Sequence, residues 1–344
     1  GRCVPGERFR RFFGVEEGLM DSEFVARIVA PPYYRVIPHM GRESAQFIID
    51  NLLRFSFKRL AITNDAIHDM RKRIALVDHN LGQLAGDVRI SRQSCDEGRA
   101  EWLEVPQSRL DRVFLYLHGG AFCFRIPRIQ SALIARWCRQ SGARALMPVY
   151  RLAPEHPYPA APDDCLAAYR WLLNHGVPAS NIVICGDSAG GNLSLVTLMR
   201  ARDEGLPLPA AAVLLSPATD FSLSGRSATV NEASDPMFSV RMLRWFGEMY
   251  LTEPELLLTP FVSPLTGDFT GLPPLLFQVG SNEMLLDDST RAAAKAHASG
   301  VDVQIDVFEG MPHVFQGISK LPESKVADKY VAEFLEAKAG WGPG

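Results

Sequence analysis

No two of the six cysteines (Cys3, Cys95, Cys123, Cys138, Cys165, Cys185) stand at CxxC spacing, and no histidine-rich run accompanies them. Neither a zinc site nor a compact disulfide framework is written here, so no metal and no other cofactor is expected. Cys165 and Cys185, in apolar surroundings, read as small core residues. No apolar run reaches the roughly 18 residues that a membrane-spanning helix needs, and no charged start, apolar core and small-residue cleavage site follow one another as a secretory signal requires. A cytoplasmic, reducing setting is the expectation. Charge of one sign is also missing: 36 Lys and Arg face 39 Asp and Glu, a formal net charge of -3. That balance argues against nucleic acid or an anionic membrane as the main partner, with Arg8-x-Arg10-Arg11 read as a solvated end. Repeats and low-complexity tracts are absent. What remains is a chain of 344 residues, 47% hydrophobic, enough for one large α/β domain or two smaller ones.

The most informative stretch is Asn181-Ile182-Val183-Ile184-Cys185-Gly186-Asp187-Ser188-Ala189-Gly190-Gly191. Four apolar residues, too few for a helix, run into Gly-x-Ser-x-Gly, and a helical pattern from Leu193 to Met199 follows. Strand, sharp turn and helix in that order force the serine into a strained conformation with its hydroxyl clear of the sheet. The rival reading, a phosphate-cradling glycine loop, lacks the Walker lysine and sets Asp187 where a phosphate should sit.

Around this elbow the chain alternates. The spacing predicts strands at Asp87–Ile90, Ala100–Val105, Val113–Leu117, Ala145–Val149, Ile182–Cys185, Ala212–Leu215, Leu275–Val279 and Val303–Val307. Helices are predicted at about Ser131–Gln140, Ala160–Asn174 and Val326–Ala337. Such alternation means α/β: a mostly parallel sheet with helices on both faces. Residues 1 to about 40 read as irregular and aromatic-rich. Helical spacing follows at about Ser44–Leu60 and Asp65–Val77, and again at Arg241–Tyr250 inside the long stretch between the strands at Ala212–Leu215 and Leu275–Val279. These helices are expected to cover the carboxyl edge of the sheet as a lid. The division that follows is 1–75 for N-terminal cap helices, 76–220 with 263–344 for the catalytic body, and 221–262 for a cap insertion.

A serine hydroxyl needs a base within reach and an acid to hold that base. Of eight histidines, His313 alone sits in a loop just past the final strand, Gly310-Met311-Pro312-His313-Val314-Phe315. The acid should follow the preceding strand, where Glu283, Asp287 and Asp288 compete. Glu283 comes soonest after the strand and is the choice, with Asp287 kept as rival; Asp287 and Asp288 look like helix-capping residues. His118-Gly119-Gly120-Ala121-Phe122, directly after Val113–Leu117, supplies small residues whose amides can converge on a developing oxyanion. The expected hole comprises Gly119, Gly120, Ala121 and Ala189, with donors from Gly120, Ala121 and Ala189, Gly119 shaping the turn and His118 bracing the loop.

These residues carry a resemblance. His118-Gly119-Gly120-Ala121-Phe122, Tyr150-Arg151-Leu152-Ala153-Pro154-Glu155-His156-Pro157-Tyr158-Pro159 and Gly186-Asp187-Ser188-Ala189-Gly190-Gly191, together with Ser216-Pro217, Asp220 and Gly310-Met311-x-His313, resemble the hormone-sensitive-lipase-like family of α/β-hydrolases, rich in microbial carboxylesterases. The resemblance implies an α/β-hydrolase fold with a helical cap, a Ser188–Glu283–His313 triad, a small-molecule ester substrate, and a homodimer formed through the last strand and its neighbouring helix. Two positions depart from the family pattern: Ala121 replaces a third glycine, and Glu283 stands where the family writes Asp. The implied reaction is hydrolysis of short- to medium-chain acyl esters through an acyl-enzyme. An amidase or deacetylase would use the same triad, and receptors on this scaffold bind without hydrolysis but typically lose the histidine that this chain keeps.

Overall fold

The computed structural model describes residues 31–41, 50–51, 53–54, 58, 66–95 and 98–342. Most of the predicted helix at Ser44–Leu60, and the aromatic-rich first thirty residues, lie outside them. Among the described residues nine strands form one sheet in the order β1-β9-β8-β7-β6-β4-β5-β3-β2. They are β1 (Tyr34–Ile37), β2 (Arg89–Cys95), β3 (Gly98–Glu104), β4 (Val113–Leu117), β5 (Arg144–Pro148), β6 (Ile182–Asp187), β7 (Ala211–Leu215), β8 (Leu275–Gly280) and β9 (Val303–Phe308). Every pairing is parallel except those of β3 with β2 and β5. β4, β6, β7 and β8 are buried along their whole length. Their near-continuous apolar runs, rather than alternation, are what a sheet covered on both faces requires.

The chain passes from β4 to β5 on one side and then returns to set β6 on the other. At such a reversal the crossover connections diverge and leave a crevice beyond the carboxyl ends of the strands. The loops after β4 and β6 open into that crevice together, because Leu117 and Gly186 are register partners.

Helices α1 (Ala66–Leu81), α2 (Pro127–Ser141), α3 (Ala160–Asn174), α4 (Ala189–Asp203), α5 (Ser227–Val230), α6 (Val240–Tyr250), α7 (Leu286–Ala298) and α8 (Pro322–Ala339) surround the sheet. α1 buries Ile67, Met70 and Ile74, a stripe at helical spacing contributing about 1.5–3 kcal/mol per side chain. Its Arg71 donates to the carbonyls of Cys123 (2.8 Å) and Ala153 (2.9 Å) and to Glu155. Its Asp78 accepts from the amides of Arg128 and Ile129 at the start of α2. α6 is capped by Ser239, whose hydroxyl accepts from Met242 N, and it buries Met242, Trp245, Phe246 and Tyr250. That face lies on the loop after β4: Tyr250 stacks on Phe122 at 3.9 Å and Phe246 meets Phe124 edge-on at 5.9 Å.

Three expectations change. β1 falls inside the region read as irregular. It pairs in parallel with β9, Tyr34 opposite Ile305, and is held by side chains rather than by pattern: Arg35 Nε donates to Asp306 at 2.6 Å and the guanidinium lies over the Tyr330 ring. Just beyond it, Glu323 accepts from the amides of Met40 (2.7 Å) and Gly41 (2.8 Å). A second copy docking on the last strand therefore meets an edge already occupied by β1. β2 runs to Cys95 instead of ending at Ile90 because it is an outer hairpin strand with an almost fully exposed sequence, so no buried face marks its limits. The elbow helix and the final helix are each longer than their periodic cores.

Candidate active site

Ser188 joins β6 to α4 with φ 55° and ψ −117°, a region costly for a residue with a Cβ and stable only where its surroundings dictate it. The neighbouring glycines make room: a Cβ on Gly186 would lie 2.3 Å from Gly190 O, and one on Gly190 only 1.8 Å from Leu117 O. The turn is then fixed from β7, Ser188 N donating to Leu215 O at 2.8 Å. Its side chain is half-buried and lines a cavity of about 60 Å³.

The residue after Leu215 continues the connection. Ser216 Oγ donates to Glu283 Oε1 at 2.8 Å and accepts from Val314 N at 3.3 Å. Glu283, fully buried in the loop after β8, also accepts from Gly280 N at 2.7 Å. Its other oxygen lies 2.6 Å from His313 Nδ1, in the loop after β9. A carboxylate there requires Nδ1 to carry the hydrogen, which leaves the Nε2 lone pair free to accept a proton. Nε2 is buried and has no hydrogen-bond partner among the described residues. The Phe238 ring meets the imidazole at 4.9 Å and 69°.

Burial alone would lower the His313 pKa, but Glu283, by charge and hydrogen bond, and then Asp235 and Asp187, outweigh it and hold it above the ordinary 6.5. Only the neutral imidazole can act as base. kcat/KM for an ester is therefore expected to rise with pH, with its acid-side inflection above 6.5; a pH–rate profile in constant ionic strength checks this, and an inflection below that value contradicts it.

Gly119, counted with the oxyanion residues on sequence grounds, has its amide committed: it donates to Asp187 Oδ1 at 2.9 Å. Asp187 also accepts the Tyr116 hydroxyl at 2.5 Å and the Gln130 amide. Gly119 therefore shapes the turn and is no donor for the hole. The next three residues all have positive φ, Gly120 122°, Ala121 50° and Phe122 61°. Among the described residues the amides of Gly120, Ala121 and Ala189 donate no hydrogen bond. His118 is buried beneath them, stacked on Tyr150 at 4.0 Å with Nδ1 2.8 Å from Gly119 O. Burial, helped by Arg125, pushes its pKa down to about 3, so it is a neutral brace.

Asp287 and Asp288 are not caps. α7 has Leu285 at its N-cap with no side-chain hydrogen bond, and from its first turn Asp287 reaches into the insertion while Asp288 reaches the stretch after β7. Asp287 Oδ2 accepts from Ser227 N at 2.9 Å, while Asp288 Oδ2 accepts from Thr219 N at 2.6 Å and Asp220 N at 2.8 Å. Neither is bonded to the imidazole. Sequence reading missed Asn231 and Asp235. Asn231 Nδ2 donates to the carbonyls of Ser281 and Glu283, and Asp235 Oδ2 accepts from Met284 N at 2.8 Å. Lys58 Nζ in turn donates to the carbonyls of Glu232 and Asp235. The one local signal is Asp235-Pro236 ahead of α6, which marks a helix boundary and not a brace for the loop after β8. Among the described residues no group of three or more His, Cys, Asp or Glu side chains could hold a metal ion, and no helix is long and apolar enough to cross a membrane.

Known proteins resemble this chain in sequence and in fold. A family profile for the alpha/beta hydrolase fold matches residues 114–317. An acetyl-hydrolase of Streptomyces hygroscopicus is 40% identical over 266 residues, covering 76% of this chain and 86% of the relative. An esterase of Acinetobacter venetianus is 37% identical over 237 residues, 69% of this chain and 78% of the relative. Among solved structures, an esterase from the bacterial hormone-sensitive lipase family superposes with a TM-score of 0.81 at 37% identity, covering 87% of this chain and 100% of that one.

Proposed function

The chain belongs to the α/β-hydrolase superfamily and, within it, to the bacterial hormone-sensitive-lipase-like esterases, and from that premise we propose that it hydrolyses short- to medium-chain acyl esters through an acyl-enzyme on Ser188. It is a serine-type ester hydrolase acting on small-molecule esters; the residue roles and the chain length are the proposal. Ser188 Oγ attacks the ester carbonyl while His313 Nε2 takes its proton, so that one C–O bond forms as the carbonyl electrons move onto oxygen. Glu283 keeps the proton on Nδ1 and stabilises the imidazolium. The amides of Gly120, Ala121 and Ala189 bind the oxyanion. Collapse of the intermediate expels the alcohol, protonated by His313, and water repeats the steps to release the acid.

The observation that carries this reading is the 2.6 Å contact of Glu283 with His313, with Nε2 left unpartnered. The small apolar cavity supports short acyl chains, and the Streptomyces relative is called an acetyl-hydrolase. We assign residues 221–262 and the N-terminal 1–75 to the cap, and 76–220 with 263–344 to the catalytic body. A panel of p-nitrophenyl esters from acetate to palmitate should give its highest kcat/KM at the short end, with a fluorophosphonate abolishing turnover by labelling Ser188. A maximum at palmitate overturns the chain-length reading, and labelling elsewhere overturns the nucleophile.

A further inference from the structure

The cavity beside Ser188 is walled by aromatic and aliphatic side chains, Phe122, Phe221, Phe238, Leu243 and Phe246 among them, yet it also reaches a carboxyl group that the proposed chemistry does not use. Asp288 is only 2% exposed and lines this cavity. Its Oδ2 is fixed by the amides of Thr219 and Asp220. Its Oδ1 accepts no hydrogen bond among the described residues and is not one of the sealed, unpartnered atoms. That oxygen therefore keeps the residue's small exposed surface on the cavity side, where whatever fills the space can reach it.

The charged groups nearest to it are already engaged with each other. Asp220 accepts from Ser222 and Ser224, and its Oδ2 lies 3.0 Å from Arg291 Nη1, which also reaches Ser224. Asp288 forms no ion pair of its own: burial pushes its carboxyl up to about 7, the charge of Asp220 adding to the rise while the amides of Asp220 and Thr219 and the charge of Arg291 oppose it. Near neutrality both protonation states are populated. A hydroxyl suits both, since it donates to the carboxylate and accepts from the acid. An ammonium suits only the ionised form, and a second carboxylate is repelled by it.

We infer that Asp288 is a specificity residue: the ester chain held in this cavity carries a hydroxyl that hydrogen-bonds Asp288 Oδ1, so that hydroxylated short-chain esters are preferred to their plain counterparts. This deepens the esterase reading of Ser188 and rests on it. The test compares kcat/KM, by pH-stat, for matched ester pairs that differ by one hydroxyl on the acyl chain or on the alcohol. Titration of His313 acts on both members of a pair and cancels in the ratio. In the wild type one series should favour the hydroxylated ester, more strongly as pH rises through about 7, because the bond to an ionised acceptor is the stronger one.

In Asp288→Asn the amide oxygen keeps the Thr219 and Asp220 bonds and the NH₂ takes the Oδ1 place, so the preference persists but becomes independent of pH. In Asp288→Ala it falls by about tenfold or more, the usual range for a hydrogen bond to a charged group. Equal values for both members of every pair in the wild type overturn the inference. So does an Asp288→Ala enzyme that still cleaves the plain ester and keeps the preference, or a preference that titrates identically in Asp288→Asn. Failure of the esterase reading looks different: the wild type then cleaves no plain ester and Ser188 is not labelled.

Discussion

Ser188→Ala is expected to lower kcat on a short-chain ester by about 10⁶-fold, the cost of removing the nucleophile from a coupled triad in a protease that uses the same parts. About 10³–10⁴-fold over the uncatalysed reaction should remain, from substrate binding and the amides after β4. The loss belongs to chemistry and not to folding, since the Ser188 turn is fixed through its backbone, by the hydrogen bond that its N–H donates to Leu215 O and by the space at Gly186 and Gly190. Circular dichroism and thermal melting should match the wild type. Turnover near the wild-type rate in a preparation free of contaminating esterase ends the assignment.

The second large effect is expected at Glu283→Gln. One end of the side chain must still accept from Gly280 N and Ser216 Oγ. The amide oxygen takes that place, which turns the NH₂ toward His313 Nδ1. Nδ1 must then accept, the imidazole hydrogen moves to Nε2, and the base presents a proton where it needs a lone pair. A comparable exchange of tautomer costs about 10⁴-fold in kcat in a serine protease, and a loss of that order is expected here with the fold intact. Asp287→Asn is the control, because Asp287 bonds to Ser227 and not to the imidazole. It should keep turnover within about tenfold; the reverse ranking of the two variants moves the acid role to Asp287.

The parts that could be read from the sequence are those whose signal is local. β4, β6 and β8 announce themselves as short apolar runs ended by turn residues, and the elbow is a run of consecutive residues whose strand–turn–helix context travels with it. The contact between Glu283 and His313 could be anticipated because both follow neighbouring strands, and loops leaving the same edge of a parallel sheet converge. Side chains whose partners are distant in sequence were not legible. Asp287 and Asp288 fit the composition of a helix start and look like caps, while their partners Ser227 and Thr219 lie 60 and 69 residues away. That Gly119 shapes the turn is legible from the sequence; that its amide goes to Asp187, 68 residues away, is not. Asp235 and Asn231 brace the loop that carries Glu283 from an insertion whose role in the sequence was only that of a cover.

β1 adds a consequence for how the molecule is made. Arg35 and Asp306 are separated by 271 residues, so on a ribosome adding 5–20 residues per second β1 waits roughly 15–55 s before its neighbour has even been synthesised. Until then a short edge with its amides and carbonyls unpaired stands beside an emerging chain rich in apolar strands. Closing that edge is among the last steps available to the nascent protein.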